Sequence, residues 1–267
     1  MGKRPIEDFN KKIYSPLGQC MYCGILQNLQ DEHIVPYGLS GTTVLPKSTC
    51  PSCAKITGQF EQKVLRGPMR AVRVFRKLHS RTKYVGVSET HPLEIVRNKK
   101  KEIVKLPLSE YPILLYFPLF SPPAFLNPQG YKKGINIIGV DIVSFGPRPE
   151  EVQKKLCATQ IIITQNYFPT AFARMIAKIA YSFAIAEGNI DLIRGKLFPI
   201  EAILGKKDNI GRWVGTITDP SKKHQSLLHR IALHKDYKKK VLIGVVQLFA
   251  DSQAPNYGVI LGQLKKV

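Results

Sequence analysis

Cys20-Met-Tyr-Cys23, Asp31-Glu32-His33-Ile34-Val35-Pro36 and Cys50-Pro-Ser-Cys53 follow one another near the start of the chain. Each Cys-x-x-Cys sets two sulfurs on one tight turn, and two such turns can close a tetrahedron of thiolates around zinc. A four-thiolate site has no open coordination position, so its expected role is structural: it staples a small module and does no Lewis-acid chemistry. Four of the five cysteines fall in these pairs, which points to metal rather than disulfides. A thioredoxin-like redox pair fits less well, because neither pair follows a strand and opens a long helix in a βαβ unit. The fifth, Cys157, stands near Lys154 and Lys155 among apolar residues and reads as a packed thiol.

Working outward, residues 14–53 form a turn-rich stretch punctuated by Gly24, Gly38 and Gly41. Beyond it, Ile56, Phe60, Val64 and Leu65 recur at helical spacing, followed by the basic run Arg66, Arg70, Arg73, Arg76, Lys77 and Arg81. Gly67-Pro68 interrupts that run and predicts two helical pieces rather than one. Residues 84–106 alternate weakly around a turn at Lys99-Lys100-Lys101, and 111–145 are rich in Pro, Gly and β-branched residues, so short buried strands are expected there. A short helix at 150–156 and a strand at 160–164 follow. Thr170 to Glu187 is Ala-rich, apolar around most of its circumference and closed by Gly188, which predicts a central buried helix. Strands are expected at 240–250 and 257–264. The predicted fold class is α+β, with an N-terminal module over residues 1–83 and a larger α+β domain over 84–267 whose role is to position substrate or a partner.

The chain has 267 residues and a formal charge of +21, divided as +11 over residues 1–105 and +10 over 106–267. So broad an excess favours a polyanionic partner, and nucleic acid over an anionic membrane, since no long basic amphipathic helix or lipidation signal is visible. The most apolar stretch, 111–126, is broken by four prolines and is too short to span a bilayer. The N-terminal residues carry no apolar core of a secretory signal, and a cytoplasmic location is expected.

The string from Asp31 to Pro36, set between two Cys-x-x-Cys knuckles, resembles the HNH endonucleases (ββα-metal or His-Me finger nucleases) over about residues 14–65. The resemblance implies a hairpin, a loop and one helix around a single Mg²⁺ or Mn²⁺, with structural zinc at Cys20, Cys23, Cys50 and Cys53. It gives His33 the part of general base toward water, and Glu32 that of the first carboxylate on the catalytic ion. The substrate implied is nucleic acid, by family analogy DNA. The basic run directly after the motif, with Arg66, Arg70, Arg73 and Arg76, reads either as contacts riding the phosphate backbone or as a solvated helix face. Those residue types suit the reaction on independent grounds: a neutral imidazole can take water's proton at physiological pH, and a hard carboxylate suits Mg²⁺. Many members carry Asn or His directly after the second knuckle as a further ligand; here that position is Ala54, and Thr42 or Thr43 replaces the middle Asn. Cys53-Ala54-Lys55-Ile56-Thr57 with Phe60-Glu61 is similar to one subgroup. Positions 54, 57, 58 and 61 share a helix face, so Glu61 or Thr57 can contribute to the ion, directly or through water. Glu61 lies two turns below Ala54, about 10 Å along the axis, so it does not simply replace the missing ligand. Residues 172–187 are similar to the C-terminal halves of uncharacterised bacterial proteins that begin with the same module. Two rivals stand beside the nuclease: a zinc-containing nucleic-acid-binding protein whose catalytic site has lapsed, and a zinc scaffold for a protein partner. Lesser candidates are Trp213, as a base-stacking or rim aromatic, and His224, His229 and His234, whose five-residue spacing would scatter them around a helix and make no second metal site.

Overall fold

A computed structural model describes residues 12–80, 90–127, 130, 133–188, 198–217 and 227–265. Residues 1–8, Arg81 and His224, invoked above, lie outside them. Strands β1 (Gln30–His33) and β2 (Val44–Thr49) form an antiparallel pair, followed by α1 (Pro51–Arg66) and α2 (Arg70–Phe75). Next come β3 (Thr90–Arg97), β4 (Lys100–Pro107), β5 (Ile113–Phe120), β6 (Ile137–Phe145), α3 (Pro149–Lys155) and β7 (Gln160–Ile162). The chain closes with α4 (Pro169–Ala186), α5 (Ile200–Ile203), β8 (Val214–Ile217), β9 (His229–Asp236), β10 (Val241–Leu248) and β11 (Asn256–Gln263). The larger sheets run β8-β11-β10-β9 and β4-β3-β7, and β5 pairs with β6; all these pairings are antiparallel. The α+β class stands.

Local sequence explains the first hairpin. Pro36 ends the extended run, a 3₁₀ turn covers Tyr37–Leu39, and Ser40 takes a left-handed conformation. A side chain at Gly41 would place its Cβ 2.0 Å from the Val35 carbonyl oxygen, so only glycine lets the chain fold back there. Helix α1 starts at Pro51, with Cys50 extended as its cap, and stops where Gly67-Pro68 follows. It buries Cys53, Thr57, Phe60 and Val64, the i, i+4, i+7, i+11 face.

Helix α4 is central, as its apolar circumference predicts, and its two faces have different tasks. Ala173, Ala177, Ala180 and Ala184 form one stripe, all fully buried. Gly244 on β10 comes so close to that stripe that a Cβ there would lie 2.6 Å from the Ala180 Cβ. Arg174, Lys178, Tyr181 and Ile185 form another stripe, which meets the N-terminal module: Tyr181 stacks on Tyr22 and donates to the Met21 carbonyl. One continuous core therefore runs from Cys20 and Leu45 through α4 to Val259 and Leu261. Among the described residues no helix is long and apolar enough to cross a membrane.

Three expectations are corrected here. The 111–145 region holds two strands of eight and nine residues, and only β5 is mostly buried. β6 pairs with β5 alone and leaves Ile138, Val140 and Ile142 exposed on its outer face. His229 and His234 lie on a strand, not a helix, and their odd spacing puts one inside and one outside. Cys157 is exposed at the end of α3 rather than packed.

Candidate functional site

The two knuckles converge. The Sγ atoms of Cys20, Cys23, Cys50 and Cys53 all lie within 4.8 Å of one another, with Cys23 and Cys50 3.6 Å apart. Zinc–sulfur bonds of about 2.3 Å in a tetrahedron require sulfurs about 3.8 Å apart, so the set fits a metal such as zinc. The first knuckle turns at Gly24, whose N–H donates to the Cys20 carbonyl, while Cys20 N–H reaches the Ile25 carbonyl. The second knuckle is the first turn of α1, where helix-terminal N–H groups favour thiolates. Burial pushes the Cys20 thiol up, but backbone N–H groups of Cys50, Cys23 and Tyr22 outweigh it and bring it down to about 7. A four-thiolate ion would fasten the start of α1 to the segment leading into β1; it has no open position for chemistry.

An open cleft of about 910 Å³ lies beside this centre, lined among others by Glu32, His33, Tyr37, Glu61, Arg66 and Arg70. His33 closes β1 opposite Val44, half-buried, with its ring edge-on to Tyr37 at 5.4 Å; Tyr37 in turn stacks on His79 at 5.0 Å. Asp31 accepts the Lys47 N–H at 3.0 Å, holding the irregular stretch where the register of β2 slips against β1. Arg66 and Arg70 are exposed at the cleft, as is Lys55.

Glu32 faces inward, and there it meets a residue that the sequence reading missed. Lys178 of α4, with 1% of its side chain exposed, ion-pairs with Glu32 Oε1. Its Nζ lies 3.1 Å from Glu61 Oε1 and donates to the His33 carbonyl at 2.5 Å. The second Glu32 oxygen accepts from Thr49 Oγ1 at 3.1 Å. Burial would push Lys178 down, but the two carboxylates outweigh it and hold the ammonium above its usual value. Burial pushes the Glu61 carboxyl up, against the pull of Lys178. Glu32 and Glu61 thus come together, but around a protein ammonium. Mg²⁺ and Mn²⁺ do not fit this donor set: a cation already sits between the carboxylates, Ala54 offers no ligand, and Thr57 donates its hydroxyl proton to the Ala54 carbonyl.

Two of the four predicted phosphate contacts are also corrected. Arg73 donates to the carbonyls of Gly38, Leu65 and His79, tying the turn after β1 to the end of α1. Arg76 pairs bidentately with Asp251, Nη1–Oδ1 at 3.0 Å and Nη2–Oδ2 at 2.5 Å. Both have partners within the protein; Arg66, Arg70 and Arg73 line the cleft, the first two with exposed side chains. Trp213 packs with Phe125 and Phe198, ring centroids 5.6 and 5.1 Å away, as a rim aromatic. The missed Lys178 had one readable signal, a lysine well inside a mostly apolar helix. Buried His229 accepts the Phe249 N–H on Nδ1 at 3.1 Å, so Nε2 carries the proton given to the Leu39 carbonyl at 2.7 Å. No family model, no curated protein and no solved structure matches this chain.

Proposed function

We propose that this protein is a zinc-stapled endonuclease acting on nucleic acid, DNA by family analogy, with His33 as the base that activates water. The observation that carries the reading is His33 itself, half-buried in a cleft whose rim holds Arg66, Arg70 and Lys55, on a strand anchored beside the four-cysteine centre. In the reaction water adds to phosphorus as the imidazole removes its proton, the P–O ester bond breaks, and the departing alkoxide takes a proton from solvent. The exposed arginines at the rim are suited to holding the phosphate, and the +21 charge to drawing the polymer in. A zinc ion on the four thiolates would supply structure only.

A second reading, nucleic-acid binding without cleavage, is favoured by Ala54 and by the engagement of Glu32 and Glu61 with Lys178. One assay separates the two. Zinc-loaded protein is incubated with plasmid and linear DNA in buffer freed of other divalent ions, then with Mg²⁺ or Mn²⁺ added, beside His33→Ala purified identically. Cutting that is lost in the variant supports the nuclease. Cutting retained in the variant overturns the role of His33. Salt-sensitive gel shifts without any cutting select the binding protein.

A further inference from the structure

The contacts of Lys178 are those of an ion in a binding seat. An ammonium has three donors. Here the ammonium ion-pairs with Glu32 Oε1, donates to the His33 carbonyl at 2.5 Å and the Ile34 carbonyl at 3.4 Å, and lies 3.1 Å from Glu61 Oε1 as an ion pair. These oxygens come from both ends of the module, from β1 and its following loop and from the third turn of α1. That is the converging oxygen set a hard cation needs. Lysines near a surface usually slide the charged head to water along an apolar stem. This one keeps its head at the floor of the cleft with 1% of its side chain exposed, and Ala177 and Ile179 are fully buried on either side of it.

We infer that Lys178 is the resident cation of this site: its ammonium sits between Glu61 and Glu32, the carboxylate to which the resemblance gives a divalent ion, and work at His33 proceeds without Mg²⁺ or Mn²⁺. A dication placed beside that ammonium would meet a like charge within a few ångströms in a poorly solvated setting. Lys178 is a positioning residue rather than a catalytic one. Its bond to the His33 carbonyl fixes the end of β1 and so the place of the imidazole. The pairing also makes the larger part of the chain a component of the site, since the cation arrives on α4. The consequence for cleavage rests on the nuclease reading; the identity of the seated cation does not.

The test reads metal binding directly. Mn²⁺ is titrated into zinc-loaded full-length protein and free Mn²⁺ is followed by electron paramagnetic resonance. The wild type is expected to show no saturable site at submillimolar Mn²⁺. Lys178→Met, which keeps the apolar stem and leaves two facing carboxylates, is expected to take up one equivalent and to melt at a temperature that rises with Mn²⁺. A merely structural lysine would give no such gain. A saturable Mn²⁺ site in the wild type that is lost in Glu32→Gln would overturn the inference, and this comparison stands even where Lys178→Met does not fold. A folded Lys178→Met that binds no Mn²⁺ would also overturn it. In the cleavage assay, cutting without added Mg²⁺ or Mn²⁺ supports it, and cutting that requires either ion sinks it. No cutting under any condition, with the Mn²⁺ results as expected, removes the nuclease reading and leaves the lysine seat in place.

Discussion

Lys178 keeps its charge under nearly complete burial because two carboxylates and a backbone carbonyl replace the water it has lost. Such an arrangement contributes little net stability over an apolar one, but removing a single partner leaves a buried charge uncompensated. Lys178→Met should therefore cost about 3–5 kcal/mol in urea unfolding at low divalent-ion concentration. Adding Glu32→Gln and Glu61→Gln to the same chain should recover a large part of that loss, whereas strictly additive costs would count against a coupled triad. His229 gives a pH signature of the opposite kind. Burial holds its imidazole down at about 4, against 6.5 for the free group, with the Leu39 carbonyl only partly offsetting it. The folded state therefore binds fewer protons than the unfolded one between those two values. The stability from neutral His229 is complete above pH 6.5 and is lost as the pH falls toward 4, by on the order of 3 kcal/mol in all. Denaturant midpoints measured from pH 7.5 to 4.5 should fall across that window, and His229→Gln should flatten the slope.

At the scale of elements, α4 works because its two stripes differ in side-chain size. The alanine stripe allows close approach to β10, and the stripe holding Arg174, Lys178 and Tyr181 reaches across to the N-terminal module. Gly244→Ala should destabilise by about 1–3 kcal/mol, because the new Cβ and the Ala180 Cβ are both fixed to backbone and neither can rotate away. Combining it with Ala180→Gly should return part of the loss, less about 1 kcal/mol for glycine inside a helix. Equal costs for the single and double variants would show that the contact is not what limits packing. The helix itself was legible, since Thr170 to Glu187 carries its own period and its own stop at Gly188. What it touches was not, because spacing within one helix says which residues share a face and never which element meets that face. The same limit explains Arg73 and Arg76: a basic run at helical spacing looks alike whether it faces phosphate, carbonyls or Asp251. The four-cysteine centre could be read because each Cys-x-x-Cys carries its chemistry within a few consecutive residues. The cation opposite Glu32 was not legible, because Lys178 comes from far along the chain.

At the scale of the whole molecule, the four-cysteine centre and the C-terminal sheet belong to one core, linked by Tyr181 on Met21 and Tyr22 and by Lys178 on Glu32. Sheet β8-β11-β10-β9 lies against α4, so loosening the module strips cover from the helix that the sheet needs. Metal removal should therefore act on the entire chain rather than on the knuckles alone. Structural zinc contributes on the order of 10 kcal/mol in peptides that fold around it. Even half of that would lower the melting midpoint here by about 10–20 °C. Calorimetry of the zinc-loaded protein, the chelated protein and Cys53→Ser should give single transitions, the last two at a similarly lowered temperature. A chelated protein showing two transitions, one unchanged, would mean that the module melts by itself. The contacts of α4 would then be a docking of two independent bodies, and the cation that Lys178 supplies would be lost whenever they part.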